Sequence, residues 1–263
     1  MDLGIEGRVA WVLGGSSGLG RASAVSLARE GVRVAIAARN TEGIEKACKE
    51  IDEIGGDNIG VACDVSNPSD IDRAHKTIVE QLGPVDILLA NSGGPPAGDF
   101  ADHDEEALRA AYELLVASAW RLTKAVLPSM IERHRGVLLY VTSSSTFEPI
   151  PGLLLSNMMR PAVVAMAKSL SRELGPHGIR ALCVTPGRIA TPRVASLDQG
   201  RADASGKSIE EARAASEATI PIRRYGEPPE FGDVVAFLAS ERASYMTGTS
   251  VVVDGGLIGN LLS

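Results

Sequence analysis

Arg8-Val9-Ala10-Trp11-Val12-Leu13 runs directly into Gly14-Gly15-Ser16-Ser17-Gly18-Leu19-Gly20, and helical spacing begins at once with Ala22, Ala24, Val25, Leu27 and Ala28. Strand, glycine turn and helix in that order make a phosphate-binding unit. The helix N-terminus presents backbone N–H groups without intrahelical partners and the positive end of a dipole. Glycines lack the Cβ that would hold a pyrophosphate away from the backbone. The spacing Gly14-x3-Gly18-x-Gly20 departs from GxGxxG but uses the same mechanics. A glycine turn alone also fits an ordinary tight strand–helix connection; its place after a strand and before a helix favours a nucleotide.

Outward from this unit, strand-like and helix-like segments alternate. Strand candidates are Arg8–Leu13, Val32–Ala37, Ile59–Ala62, Val85–Ala90, Gly136–Thr142, Ile179–Val184 and Thr249–Val253. Helical patterns cover Thr41–Ile54, Ser69–Leu82 with Ser66 or Ser69 as N-cap, about Glu105 to Glu132 with a possible bend at Pro128, and much of Leu155–Leu174. Seven strands separated by helices predict a single α/β domain of doubly wound Rossmann type. Its seven-stranded, mostly parallel sheet would carry helices on both faces, with ligands beyond the carboxyl ends of the strands. Hydrophobic content of 44% with only 4% aromatic residues suits such a Val/Ile/Leu/Ala core. Arg193 to Tyr225 lacks strand character and reads as a helical flap over a site; a plain surface excursion is the alternative.

The formal net charge of −7 argues against sequence-independent nucleic-acid binding. Arg133-His134-Arg135 reads as a helix C-terminus complementing the dipole rather than a phosphate patch. Cys48, Cys63 and Cys183 are few, scattered and odd in number, which fits a reducing compartment, and no histidine or cysteine spacing suggests a metal. The first strand begins too early for a signal peptide, and no apolar run is expected to span a membrane, so a cytoplasmic protein is expected.

Together these motifs resemble the short-chain dehydrogenase/reductase family, especially its 3-oxoacyl-carrier-protein-reductase-like members, over nearly the whole chain. Gly14, Gly18 and Gly20 match the family's glycine motif, with Ser16, Ser17 and Leu19 between them. Asp64-Val65 matches its adenine-contacting aspartate. Asn91-Ser92-Gly93-Gly94 loosely matches Asn-Asn-Ala-Gly. Pro186-Gly187-Arg188-Ile189-Ala190-Thr191 matches the loop beside the nicotinamide, and Tyr245 through Gly256 matches the C-terminal signature.

Dinucleotide folds preferring NAD carry an acidic residue after the second strand, to bind the ribose 2′-OH. This chain has Ala37-Ala38-Arg39-Asn40 there, so a guanidinium replaces the carboxylate and NADP(H) is expected over NAD(H). Alternatively, Arg39 lies over adenine or pairs with a surface acid.

The resemblance breaks at the catalytic positions. The family uses a serine, a tyrosine thirteen residues later, a lysine four further on, and an asparagine on the preceding long helix. Here Ser143 keeps the serine place, but Ser156 stands for the tyrosine, Arg160 for the lysine and Leu115 for the asparagine. A serine hydroxyl is a weak proton donor, and Arg160 stays charged, able to hold the cofactor ribose or stabilise an alkoxide but not to relay a proton. Tyr112 is a substitute acid to consider. Pro161 within the expected catalytic helix suggests a helix start displaced to its first turn, or a bend.

Three readings follow: an NADP(H)-dependent reductase of ketones or oxidant of secondary alcohols with a non-standard site, 3-oxoacyl thioesters among its substrates; a catalytically degenerate NADP(H)-binding sensor or scaffold; and a structural partner of an active relative. Arg188, Arg193, Arg223 and Arg224 are candidates to meet an anionic substrate. The resemblance implies a homodimer or homotetramer; Leu114, Val116, Trp120, Leu122, Val163 and Val164 are compatible with the contact, a domain core explains them equally well, and the apolar tail Leu257–Leu262 is a candidate to cover a neighbour.

Overall fold

The computed structural model describes residues 2–260. β1 (Val9–Leu13), β2 (Arg33–Ala38), β3 (Asn58–Ala62), β4 (Ile87–Ala90), β5 (Gly136–Val141), β6 (Ile179–Pro186) and β7 (Ser250–Val253) form one sheet in the order β3-β2-β1-β4-β5-β6-β7. All six neighbouring pairs are parallel. The winding direction reverses between β1 and β4, which opens a crevice at their carboxyl ends.

The helices are α1 (Gly18–Arg29), α2 (Thr41–Glu53), α3 (Pro68–Gln81), α4 (Glu105–Tyr112), α5 (Ser118–Glu132), α6 (Leu154–Leu174), α7 (Pro192–Ser205), α8 (Ile209–Thr219) and α9 (Pro228–Ala239). Strand side chains alternate between two cores. Ala10 and Val12 of β1 join Leu27 of α1, Ile51 of α2 and Phe231 of α9 on one face. Val9, Trp11 and Leu13 join Ile78 of α3, Leu122 and Val126 of α5 and Val163 of α6 on the other.

Several local expectations are corrected. Asn67, not Ser66 or Ser69, caps α3: its side chain accepts from the Ser69 N–H, and Pro68 takes the first helical position, where no N–H is needed. The run Glu105–Glu132 is long and apolar enough to cross a membrane by length and composition, contrary to expectation. Part of its apolar character serves the core, where Leu115, Leu122, Val126 and Met130 are buried. This run continues through Pro128, but a π-helical segment, Glu113–Ala117, interrupts it. Leu122 and Val163 are fully committed to the core, and Leu114, Val116 and Val164 pack partly against it, which leaves Trp120 as the exposed apolar side chain of that set. Leu261 and Leu262 lie outside the described residues.

Pro161 lies inside α6, seven residues beyond its start, rather than in a displaced first turn. Contacts from outside the helix hold that start. The Leu154 N–H donates to Gly98 O at 3.3 Å, and the Asn157 side chain accepts from the Ile150 N–H at 3.1 Å and donates to Ile150 O at 2.9 Å. This tethering outweighs the one hydrogen bond the proline removes. It also places Ser156 and Arg160 one turn apart on one face.

Arg133-His134-Arg135 does more than complement a dipole. Asp86, buried just before β4, accepts the Val9 N–H at 3.1 Å and pairs with Arg133 and with Arg135 at 2.9 Å. This ties β1, β4 and the end of α5 together. Asp86→Ala is expected to cost about 3 kcal/mol, because it strands a buried N–H and leaves a guanidinium pair facing itself. In thermal circular dichroism that is a fall of roughly 6–12 °C; a shift under about 2 °C would refute this role.

Candidate active site

A cleft of about 1280 Å³ opens at the carboxyl ends of the strands. Ligand pockets usually span roughly 300–1,000 Å³, so it has room for a dinucleotide and a second molecule side by side. It is lined by Gly14, Ser16, Ser17, Gly18, Leu19, Arg39, Asn40, Asp64, Val65, Asn91 and Gly93, and by Pro186, Gly187, Ile189 and Thr191. Ser143, Ser156 and Arg160 line it too. Of the residues expected to bind the coenzyme, Gly20 stands behind the lining.

The turn is built for close approach. Gly14 and Gly18 have φ of +62° and +53°, a conformation strained for side-chain-bearing residues. A Cβ on Gly20 would meet Gly14 O at 2.3 Å, so helix and strand touch backbone to backbone there. Ser17 at the α1 N-cap makes no side-chain cap bond, which leaves the first-turn N–H groups available to a ligand in the cleft. The Asn91 side chain braces the turn by donating to Leu13 O at 3.2 Å. These features fit a bound pyrophosphate.

At one end of the cleft, Arg39 is well exposed and lies 3.9 Å from the Asp64 carboxylate, a loose contact that a phosphate could replace. Asn40 caps α2 by accepting from the Gly43 N–H at 3.2 Å. Asp64 folds back on Ser66, accepting from its N–H at 2.9 Å and its hydroxyl at 2.5 Å. On the opposite wall, Gly187 N–H donates to Val253 O at 2.9 Å and Thr191 caps α7, so the loop hangs between β7 and the α7–α8 hairpin.

At the other end, Ser143 follows β5 and its hydroxyl accepts from the Ser145 N–H at 3.1 Å. The Ser156 hydroxyl has Ser145 Oγ at 3.4 Å. Arg160 reaches inward, donating to Val141 O at 2.6 Å and to Gly93 O at 3.4 Å, while its Nε finds no partner among the described residues. Burial, with the Arg193 guanidinium nearby, pushes its pKa down to about 10, so it stays charged at neutral pH. Behind it, Leu115 and Ser118 border a void of about 10 Å³, at the lower limit for one water.

Tyr112 is half-exposed and does not line the cleft, so it has no place as a substitute acid; among the described residues no tyrosine lines the cleft. Arg188 and Arg193 do line it. Arg223 and Arg224 do not: Arg223 turns to Ala218 O, and Arg224 holds Glu230 through both terminal nitrogens at 2.7 Å. Sequence reasoning missed Arg201 and Lys207 on the α7–α8 hairpin, and the Glu148–Pro151 stretch. The two closely spaced prolines of that stretch were the available signal for a rigid loop.

The family profile described as Enoyl-(Acyl carrier protein) reductase matches residues 14–258. The human protein "Dehydrogenase/reductase SDR family member 4" is 34% identical over 255 residues, covering 96% of this chain and 88% of the human one. A crystal structure of an actinorhodin polyketide ketoreductase variant with NADPH superposes with a TM-score of 0.93 at 34% identity, covering 96% of this chain and 98% of its own. The L-sorbose reductase of Gluconobacter frateurii, complexed with NADPH and L-sorbose, superposes with a TM-score of 0.94 at 30% identity, covering 99% and 100%.

Proposed function

From the premise that the chain belongs to the short-chain dehydrogenase/reductase family, we propose that it is an NADP(H)-dependent reductase of carbonyl compounds, or oxidant of the matching secondary alcohols, with a non-standard active site. One observation carries this reading: a single cleft has the glycine cradle and Arg39 at one end and Ser143, Ser156 and Arg160 at the other.

The uncapped start of α1, with Ser16, Ser17 and Leu19, holds the pyrophosphate. Arg39 meets the 2′-phosphate. Asp64 and Val65 border the adenine, and Asn91, Gly93 and Pro186 through Thr191 flank the nicotinamide half. Bound there, the nicotinamide supplies hydride chemistry. Ser143 donates to the substrate oxygen. The Arg160 charge, fixed before reaction in a dry setting, stabilises negative charge growing on that oxygen. The proton reaches it from cleft water through the Ser156 hydroxyl. The α7–α8 hairpin, within the expected segment Arg193 to Tyr225, acts as the flap. Asp198 anchors it by accepting from Tyr225 Oη at 2.9 Å, with Arg188 at 3.4 Å and Arg201 at 3.8 Å.

The second reading, an NADP(H)-binding sensor without turnover, is favoured by the lack of a cleft tyrosine among the described residues and by buried Leu115 at the asparagine place. One experiment separates them. NADPH is expected to bind about 10–100-fold more tightly than NADH, the worth of one charge-assisted phosphate contact. NADPH consumption is expected with members of a panel of ketones and 3-oxoacyl thioesters. Tighter NADH binding would refute the coenzyme assignment. Binding without turnover on the whole panel would favour the sensor.

A further inference from the structure

The reductase reading leaves a charge without an answer. Arg160 and Arg193 converge on one loop: Arg160 donates to Gly93 O at 3.4 Å, and Arg193 donates to Pro95 O at 2.8 Å. Among the described residues neither makes an ion pair, and each feels the cost of burial, Arg160 with the added repulsion of Arg193. Arg188 in the same cleft is neutralised by Asp198. Arg160 also keeps a buried Nε without a hydrogen-bond partner among the described residues. A buried cation that its own fold leaves unpaired is expensive, and a ligand charge relieves that expense.

The imbalance extends through the cleft. The chain carries a net −7, yet among the described residues six cationic side chains line this cleft against two acidic ones, Asp64 and Glu148. Asp64 faces Arg39 at the far end, where the 2′-phosphate belongs, and the pyrophosphate belongs to the α1 N-terminus. Arg201 shares Asp198 with Arg188, and Lys207 is exposed on the hairpin. That leaves Arg160 and Arg193 lining the cleft with Ser143 and Ser156, and Leu114, Ile150 and Leu153 offering an apolar wall.

We propose that the substrate is an oxo acid, whose carboxylate lies near its reacting carbonyl and is received by Arg160 and Arg193. This rests on the reductase reading and deepens it. A carboxylate suits the pair because guanidinium groups bind planar oxyanions through paired N–H donors. The same cations that orient the acid then stabilise charge on the carbonyl oxygen, so binding and rate share one device.

The test uses protein saturated with NADP⁺, so that binding is read without turnover. Acetoacetate, benzoylformate and their methyl esters are titrated by calorimetry, and NADPH affinity is measured separately by fluorescence. At least one acid is expected to bind about tenfold or more tightly than its ester. Arg193→Gln is expected to shrink that preference below about threefold while NADPH affinity stays within about threefold. Acids and esters binding alike, or no acid binding at about 10 mM, overturns the clamp and leaves the reductase reading standing. So does an Arg193→Gln variant that loses NADPH affinity and keeps the acid preference, because the guanidinium then serves coenzyme phosphate. Failure of the parent protein to bind NADPH overturns both.

Discussion

Gly20→Ala is expected to lower NADPH affinity by about 100-fold or more and to destabilise the fold by about 2–3 kcal/mol. The added Cβ would sit 2.3 Å from Gly14 O, 2.6 Å from Gly14 C and 2.9 Å from Asn91 Nδ2. Two of these atoms are backbone at a residue with φ of +62°, so no side chain can swing aside. The helix must withdraw from the strand end. Withdrawal moves the first-turn N–H groups of α1 off the phosphate position, and hydrogen bonds to a charged group fade steeply with misplacement. Asn91 is pushed as well, and its bond to Leu13 O goes with it. Fluorescence titration with NADPH and a thermal melt read the two effects. Gly175→Ala is the control, since a Cβ there meets nothing within 4 Å. A Gly20→Ala protein that binds NADPH normally would show that the glycine turn does not form the coenzyme site.

Arg160→Leu separates function from stability. Loss of a preorganised charge beside the reacting oxygen is expected to reduce turnover by about 100–1,000-fold. The melting temperature is expected not to fall. Arg160 is a buried cation with no acid partner among the described residues, and replacing such a charge by an apolar side chain of similar size is often neutral or stabilising. Val141 O and Gly93 O lose a donor, which offsets part of the gain. Arg160→Lys keeps the charge and should retain activity within about tenfold, short of the forked geometry that reaches two carbonyls at once. Normal turnover in Arg160→Leu would remove the residue from the chemistry. A melting temperature lowered by several degrees would mark it as a structural prop.

Distance along the sequence separates what was legible in the chain from what was not. The glycine turn and the order of strands and helices were legible because each rests on neighbours a few residues apart, where φ, spacing and helix starts follow local rules, while the Pro186–Thr191 loop was legible only through the family resemblance. The residues proposed to hold the coenzyme, Gly20 apart, line one cleft. Asn67 was passed over as the α3 cap although Pro68 beside it was a usable sign. The apolar Glu105–Glu132 run could not be divided between core and surface, since periodicity does not say which face meets the sheet.

What the chain determined alone is therefore its local grammar: a strand ending in glycines that only a helix N-terminus follows, repeated strand–helix units, and an arginine where a carboxylate is usual. Tertiary structure decided the rest. It held α6 open from Leu154 despite Pro161, because Gly98 and the Asn157–Ile150 bonds anchor its start from outside. It removed Tyr112, Arg223 and Arg224 from the site and gave Arg133 and Arg135 to buried Asp86. It brought Arg193 to the loop that Arg160 touches, 33 positions apart in sequence. Charge acts through space and burial, not along the chain, so whether an arginine is neutralised or left waiting for a ligand is settled only when the fold selects its neighbours.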